Sequence, residues 1–195
     1  VYTKLGQSDF QAELSTLRAS RPEATFVFQP GGMGINFVKQ WHQAGMGQVS
    51  KLYTVFTVDN LSLPALKETA LGVVSTQTWS PDLDNEINRR FVADYKAKFG
   101  GYPSFYAAQA YDTMMAIDHA IAKAGSSDTE AMRAVLAEGG IPTTRGPLAM
   151  NSNQFPIQNV YLREAVLDAD SMATTRITGT VFANHADAYT KDCQF

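Results

Sequence analysis

Apolar residues in the first part of the chain recur at two spacings, that of short strands and that of amphipathic helices. Thr25 to Phe28 is a β-branched and aromatic run of strand length. The run is broken at Gln29-Pro30-Gly31-Gly32, because proline cannot continue a strand ladder and glycine adopts backbone angles that other residues avoid. Apolar positions then follow helical spacing from Ile35 to Trp41, and Gly45 lies where a helix C-cap belongs. Strand, glycine turn and helix are the repeating unit of an open α/β sheet, in which ligands bind beyond the carboxyl ends of the strands.

The same alternation of helix and strand extends over the rest of the first part. Ser8 and Gln11 have the spacing of a capping box, and an apolar helix face follows them. A second strand is predicted from Leu52 to Val58, and a third, shorter one from Gly72 to Ser75. Because predicted helices separate these strands, the pattern indicates a parallel sheet.

Three helices without an intervening strand are predicted after Trp79. Asp82 and Asp84 are predicted to cap the first of them, and Ser104 caps the second, which is apolar on several sides and therefore needs cover. The helices are predicted over about Asn85–Phe99, Ser104–Ala124 and Thr129–Ala137. A hairpin with strands at Val160–Leu167 and Ile177–Phe182 follows them.

Composition and charge exclude several classes of function. The chain has 195 residues, 45% of them hydrophobic, and a net charge of −3, so no basic stripe exists for a nucleic acid. No apolar run is long enough to span a bilayer. The single cysteine, Cys193, excludes an internal disulfide framework and a multi-cysteine metal site. No signal peptide is evident and Val1 is not a start methionine, so we expect the chain to be part of a longer protein.

No catalytic constellation is evident in the sequence. The three histidines lie on different predicted elements without metal-ligand spacing, and His185 with Asp187 lacks a serine in a nucleophile elbow. What remains is a set of aromatic, glycine and hydroxyl residues in loops at strand ends and at the start of a helix. Such loops suit a small, partly apolar organic ligand.

The order of sequence segments resembles a known family along the whole chain. The segments are DFQAEL, FVFQPGGMGINFVKQWHQAG, LYTVFTVD, ALGVVSTQTWSPDLDNEINRRFVADYKAKFG, YPSFYAAQAYDTMMAIDHAI, RGPLAMNSNQFPIQNVYL and HADAYTKDCQF. In this order they resemble the leucine/isoleucine/valine-type periplasmic substrate-binding proteins of ATP-driven importers. The similarity points to the branch assigned to branched-chain amino acids that often takes aromatic carboxylates.

The resemblance implies an α/β fold of the type I periplasmic-binding-protein class. In that fold two parallel-sheet lobes are joined by three crossovers, and the ligand is held in the cleft between them. Because full members are much longer, the chain is expected to be a C-terminal fragment. Residues 1–78 and 157–195 would belong to the second lobe, and residues 79–156 to the helical part of the first lobe, whose central sheet is missing.

The resemblance also implies two groups of ligand-binding residues. The turn Pro30-Gly31-Gly32 matches a ligand-facing loop, and Tyr106, with Phe105 beside it, matches an aromatic residue that packs on the ligand. Phe56-Thr57 falls where the amino acid binders place an acidic residue for the ligand's ammonium group, and only Asp59 is near. This departure favours a ligand without the amino group. The residues that hold the carboxylate lie on early loops of the first lobe, outside this sequence.

The function that the resemblance implies is that of a solute-binding component of an ABC-type importer, in the periplasm. It is not an enzyme and needs no cofactor or metal. Its partners are a small carboxylate (an aromatic acid or a branched-chain or other amino acid), a membrane permease and the missing N-terminal half of the same protein. Two alternatives stay open: the ligand-sensing domain of a receptor or regulator with the same fold, and an α/β hydrolase, which the absent nucleophile and base disfavour.

Overall fold

The computed structural model describes residues 1–193, which form two compact units. The first unit consists of Val1–Gln77 and Leu162–Thr178, and the second of Thr78–Tyr161 and the residues from Gly179 onward. The expected assignment of residues 1–78 with 157–195, and of residues 79–156, to two lobes of a longer protein stays a prediction. Each of the two long strands near the end of the chain contributes residues to both units.

The first unit alternates helices and parallel strands, as the sequence pattern indicates. Its elements from residues 1 to 77 are α1 (Gln11–Ser20), β1 (Ala24–Val27), α2 (Gly32–Gln43), β2 (Lys51–Val55), α3 (Leu63–Leu66) and β3 (Val74–Gln77), with 3₁₀ turns at Met46–Gln48 and Lys67–Ala70. In the parallel pairing, Ala24 lies opposite Lys51 and Tyr53 lies opposite Val74. The predicted parallel sheet is therefore confirmed; β1 and β3 have the expected length with shifted bounds, and β2 is two residues shorter than expected.

The N-terminus of α1 differs from the predicted capping box. The Ser8 side chain does not cap the helix; instead Asp9 Oδ1 accepts a hydrogen bond from the Gln11 N–H at 3.0 Å. Gln40 of α2 holds the same segment, since its Oε1 accepts from the Phe10 N–H at 2.8 Å and its Nε2 donates to the Ser8 carbonyl at 2.8 Å. The N-terminus of α1 is thus held by the local hydrogen bond of Asp9 together with Gln40 of α2.

One face of β1 is packed and the other is open. Because successive strand residues point to opposite faces, Val27 contributes to the core while Phe26 is 67% exposed. The core on the packed side joins α1 and α2, where the rings of Phe10 and Phe37 meet edge to face with centroids 5.4 Å apart. Parallel sheets are normally covered on both faces, so the exposed Phe26 face is unusual for such a sheet.

The second unit contains the three predicted helices in succession. They are α4 (Glu86–Phe99), α5 (Phe105–Ala124) and α6 (Thr129–Glu138). Ser104 caps α5, as predicted, by accepting from the Ala107 N–H at 3.2 Å. The predicted cap of α4 by Asp82 and Asp84 is wrong: Asn85 is the N-cap and accepts from the Asn88 N–H at 2.9 Å.

A row of apolar side chains on α5 is exposed. Met114, Ile117 and Ile121, which we call the α5 stripe, are 64%, 37% and 40% exposed and recur at helical spacing. Packing of α5 against α6 leaves this face uncovered by residues 1–193. The sequence-based expectation that α5 needs more cover than this chain supplies agrees with the exposure of the α5 stripe.

A buried ion pair joins α5 to the turn near residue 145 within the second unit. Asp112 Oδ2 lies 3.0 Å from Arg145 Nε, and both side chains are largely buried. The other carboxylate oxygen accepts from the Thr144 N–H at 2.6 Å. Because one carboxylate satisfies both a guanidinium and a backbone donor, Asp112 fixes the turn on the helix.

Two long strands end the described chain. β5 (Pro156–Leu167) and β6 (Ala173–His185) pair with each other and form the predicted hairpin, although both are longer than expected. Near its start β5 pairs antiparallel with the short strand β4 (Ala149–Met150), and near its end it lies beside β3 in the first unit. None of the helices over residues 1–193 has the length and apolar character required to span a bilayer.

Candidate functional site

Two loops lie side by side at the carboxyl ends of β1 and β2. The Gln29 N–H donates to Thr57 Oγ1 at 3.0 Å, which joins the loops directly. The rings of Phe28 and Phe56 meet edge to face, with centroids 5.9 Å apart and planes at 82°. We call residues 28–32 and 56–59 the strand-end cluster. It brings together six of the eight residues proposed from the sequence: Pro30, Gly31, Gly32, Phe56, Thr57 and Asp59.

The turn Pro30-Gly31-Gly32 is open to solvent. Gly31 has φ 70° and ψ −144°, a conformation that favours glycine, and a Cβ added at Gly31 or Gly32 would meet nothing within 4 Å. α2 begins at Gly32, so its first backbone N–H groups lack intrahelical acceptors and favour an anion. Gly34 has the opposite environment, because an added Cβ would lie 2.0 Å from the Gln29 carbonyl oxygen. Its missing side chain lets α2 approach the turn.

Phe56 and Thr57 form a strained, hydrogen-bonded end to β2. Phe56 has φ 55°, which is uncommon for a non-glycine residue and persists where neighbouring contacts fix the backbone. Those contacts come from Thr57, which is buried, donates from Oγ1 to the Val55 carbonyl at 3.2 Å, and accepts from Ser62 Oγ at its own carbonyl at 3.0 Å. The Thr57 hydroxyl thus supports the loop; its contact with a ligand stays a prediction.

Asp59 is buried and has internal partners. Its Oδ1 accepts from the Leu61 N–H at 3.0 Å, and its backbone N–H donates to Ser62 Oγ at 3.1 Å. Its Oδ2 faces Arg163 Nη1 at 3.9 Å, with the two side chains 7% and 1% exposed. Arg163 also donates from Nη2 to Ser75 Oγ at 3.3 Å, so it links β5, β3 and the loop after β2.

The two remaining candidates lie in the second unit, at the first turn of α5. Phe105 is buried, whereas Tyr106 is 46% exposed, and their rings are 5.5 Å apart. Trp79, another aromatic residue of interest in the sequence, is fully buried and donates from Nε1 to Asn88 Oδ1 at 2.8 Å. The burial of Trp79 fits a core role, whereas the ring of Tyr106 is partly exposed to solvent at the first turn of α5.

Sequence reasoning missed three residues that shape the strand-end cluster. Phe28 supplies the ring that meets Phe56, Gly34 allows the close approach of α2, and Arg163 pairs with Asp59. Arg163 lies two residues before Ala165 on the same strand and shares its inward face, but only the structure shows that this face is buried. Among residues 1–193, no group of three histidine, cysteine, aspartate or glutamate side chains could hold a metal ion.

Parallel strands, glycine turns and helices define the first unit as part of an α/β protein of the class whose ligand sites lie at strand ends. The chain belongs to the periplasmic binding protein family, whose sequence profile matches residues 1–171. Leu/Ile/Val-binding protein homolog 6 of Brucella melitensis is 32% identical over 170 residues, covering 82% of this chain and 43% of the relative. The expected family membership and α/β fold are therefore confirmed.

Solved structures similar to this chain come from solute-binding proteins. An ABC transporter solute-binding protein from Rhodopseudomonas palustris in complex with 3,4-dihydroxybenzoic acid has a TM-score of 0.81 and 29% identity, covering 92% of this chain and 50% of that one. A second R. palustris protein, in complex with benzoate, has a TM-score of 0.84 and 24% identity over 95% of this chain and 50% of its own. A leucine-binding protein from Thermotoga maritima has a TM-score of 0.77 and 22% identity, covering 92% of this chain and 50% of that one. The chain thus spans about half the length of the relatives it matches.

Proposed function

We propose that the protein to which this chain belongs is the solute-binding component of an ABC-type importer. It would capture a small carboxylate in the periplasm and present it to a membrane permease without chemical change. Membership of the periplasmic binding protein family supports the proposal, as does the fold shared with transporter solute-binding proteins.

The ligand class that we propose is an aromatic or other carboxylate without an α-amino group. The observation that carries it is the charge of the strand-end cluster: Phe56 and Thr57 are neutral, and Asp59 is buried against Arg163. A ligand ammonium group buried here would find no carboxylate to pair with, which is costly. The solved relative at 29% identity holds 3,4-dihydroxybenzoic acid, which has no amino group.

The residues that we propose to contact the ligand are of two kinds. The turn Pro30-Gly31-Gly32 would offer backbone N–H groups to a polar part of the ligand, since it is open and begins α2. Phe56 and Tyr106 would pack on an apolar ring, because aromatic side chains provide large contact areas at little conformational cost. Thr57, Asp59 and Phe105 are buried, so in this proposal they support the loops and the start of α5, and their direct contact with the ligand stays a prediction.

A further part of the proposal is an N-terminal half that covers the open faces. The α5 stripe and the Phe26 face of β1 are apolar and exposed, and the relatives are about twice as long as the matched region. Leaving a large apolar side chain in water forfeits about 1.5–3 kcal/mol. A preceding segment of the same protein would bury both faces.

Ligand screening of the longer protein tests the proposal. Benzoate and 4-hydroxybenzoate are expected to raise the melting temperature, since a ligand at a hundred times its Kd stabilises by about 2.7 kcal/mol. L-Leucine and L-phenylalanine are expected to act weakly. Leucine binding more tightly than every aromatic acid tested would contradict the ligand class. Chromatography after incubation is expected to return the ligand unchanged, and turnover would contradict a transport role.

A further inference from the structure

Asp59 belongs to the strand-end cluster and carries the single acidic charge of the segment from Phe56 to Asn60. Successive Cα atoms are 3.8 Å apart, so the Asp59 carboxylate lies within about 10 Å of the other cluster residues of its loop. At that distance and an effective dielectric constant of about 20, one uncompensated charge changes the affinity of an anion by roughly tenfold. The ionic state of this pair therefore bears on which ligands the cluster accepts.

Arg163 compensates this charge from inside the first unit. Its guanidinium faces Asp59 on one side and Ser75 on the other, and its side chain is almost fully excluded from water. Two opposite charges 3.9 Å apart produce fields that largely cancel at the cluster. Neither charge is available to an outside group, because both side chains are buried and Asp59 Oδ1 already accepts from the Leu61 N–H.

We propose that Arg163 is a positioning residue that sets ligand charge specificity: it neutralises Asp59 internally, so that the strand-end cluster presents no net negative charge and accepts anionic carboxylates in preference to zwitterionic amino acids. This inference rests on the proposed function. Arg163 itself does not contact the ligand. It acts through Asp59, and the hydrogen bond to Ser75 fixes its orientation. The preference for an anion is thus decided by a strand residue far along the chain from the loop whose charge it controls.

Substitution of each partner in the longer protein is expected to move anion affinity in opposite directions. Arg163→Met leaves the carboxylate uncompensated and is expected to weaken binding of 4-hydroxybenzoate about tenfold. Asp59→Asn leaves the guanidinium uncompensated and is expected to strengthen it by a similar factor, while asparagine keeps an oxygen for the Leu61 N–H. L-Phenylalanine carries both charges, so its affinity changes less. The double variant is expected to return the affinity ratio of the two ligands toward the original value.

Isothermal titration calorimetry with both ligands distinguishes this role from a merely structural one. If Arg163 and Asp59 are merely structural, both single variants bind both ligands more weakly, so the change in affinity has the same sign in each. That result would overturn the inference. If Arg163→Met does not fold, Asp59→Asn and the double variant still report the sign. Arg176→Met, which removes an exposed arginine of the same unit, is the control and is expected to leave the ratio unchanged. If the unsubstituted protein binds none of the benzoates or amino acids, the proposed function fails; if it binds them and the ratio does not move, only this inference fails.

Discussion

Met114 of the α5 stripe offers a direct test of the proposed N-terminal half. The side chain is 64% exposed in the structure of residues 1–193, so replacing it with alanine removes few contacts within these residues. In the longer protein a covering segment would bury the remaining surface. We therefore expect Met114→Ala to lower the free energy of unfolding of the longer protein by much more than a substitution at a solvent-exposed position would.

The magnitude follows from the exposed fraction. Fully burying a methionine side chain contributes about 1.5–3 kcal/mol. Covering the 64% that is exposed here corresponds to about 1–2 kcal/mol on the same scale. Any cavity that the truncated side chain leaves behind adds to this cost.

Urea unfolding of the longer protein measures the effect, with two controls in the same unit. Ile141→Ala truncates a side chain that is already buried and is expected to cost about 2–5 kcal/mol. Asp118→Ala, on an exposed position of the same helix, is expected to stay within about 0.5 kcal/mol. If Met114→Ala behaves like Asp118→Ala while Ile141→Ala shows its full cost, the α5 stripe remains in water and the covering segment is refuted.

Three further substitutions test the candidate site and its support. Tyr106→Ala in the longer protein is expected to weaken binding of 4-hydroxybenzoate by about 1–3 kcal/mol in calorimetry, and an unchanged Kd with an intact fold would remove the residue from the site. Gly34→Ala is expected to lower the free energy of unfolding, measured in urea, by about 1–3 kcal/mol, because its Cβ would lie 2.0 Å from a carbonyl oxygen. The control Gly47→Ala has open space around the added Cβ, and equal effects of the two substitutions would contradict the close approach. Asp112→Ala leaves the buried Arg145 guanidinium without its ion-pair partner and is expected to lower the free energy of unfolding by about 3–5 kcal/mol. The control Glu138→Ala, at an exposed ion pair, is expected to lower it by about 0–1 kcal/mol. A small loss in both variants would show that the buried pair is dispensable.

Much of the fold could be predicted from local pattern. The apolar run before Pro30 and the helical spacing after it are properties of a few consecutive residues, and β1 and α2 appear where the pattern indicates them. Ser104 caps α5 as expected, because its hydroxyl needs only the next turn of backbone. The capping prediction for Asp84 is wrong because several polar residues compete in that segment, and Asn85 reaches the free N–H group while Asp84 pairs with Arg89.

The candidate site could be predicted less completely. The turn Pro30-Gly31-Gly32 was identifiable because glycine and proline act locally on the backbone, and the structure leaves it open. The burial of Thr57 and Phe105 was not identifiable from their loop positions. Whether a side chain faces water depends on which other segments pack against it, and neighbouring residues in sequence do not determine that.

The sequence by itself determined the type and order of the elements, the neutral character of Phe56 and Thr57, and the family to which the chain belongs. Periodicity, turn residues and residue order carry that information within short stretches. Only the tertiary structure decided that Asp59 faces Arg163, that Gly34 lies against the Gln29 carbonyl, and that the α5 stripe is exposed. The physical reason is that charge compensation, close approach and burial are pairwise properties of segments distant in the chain, which exist once the sheet and its helices have assembled.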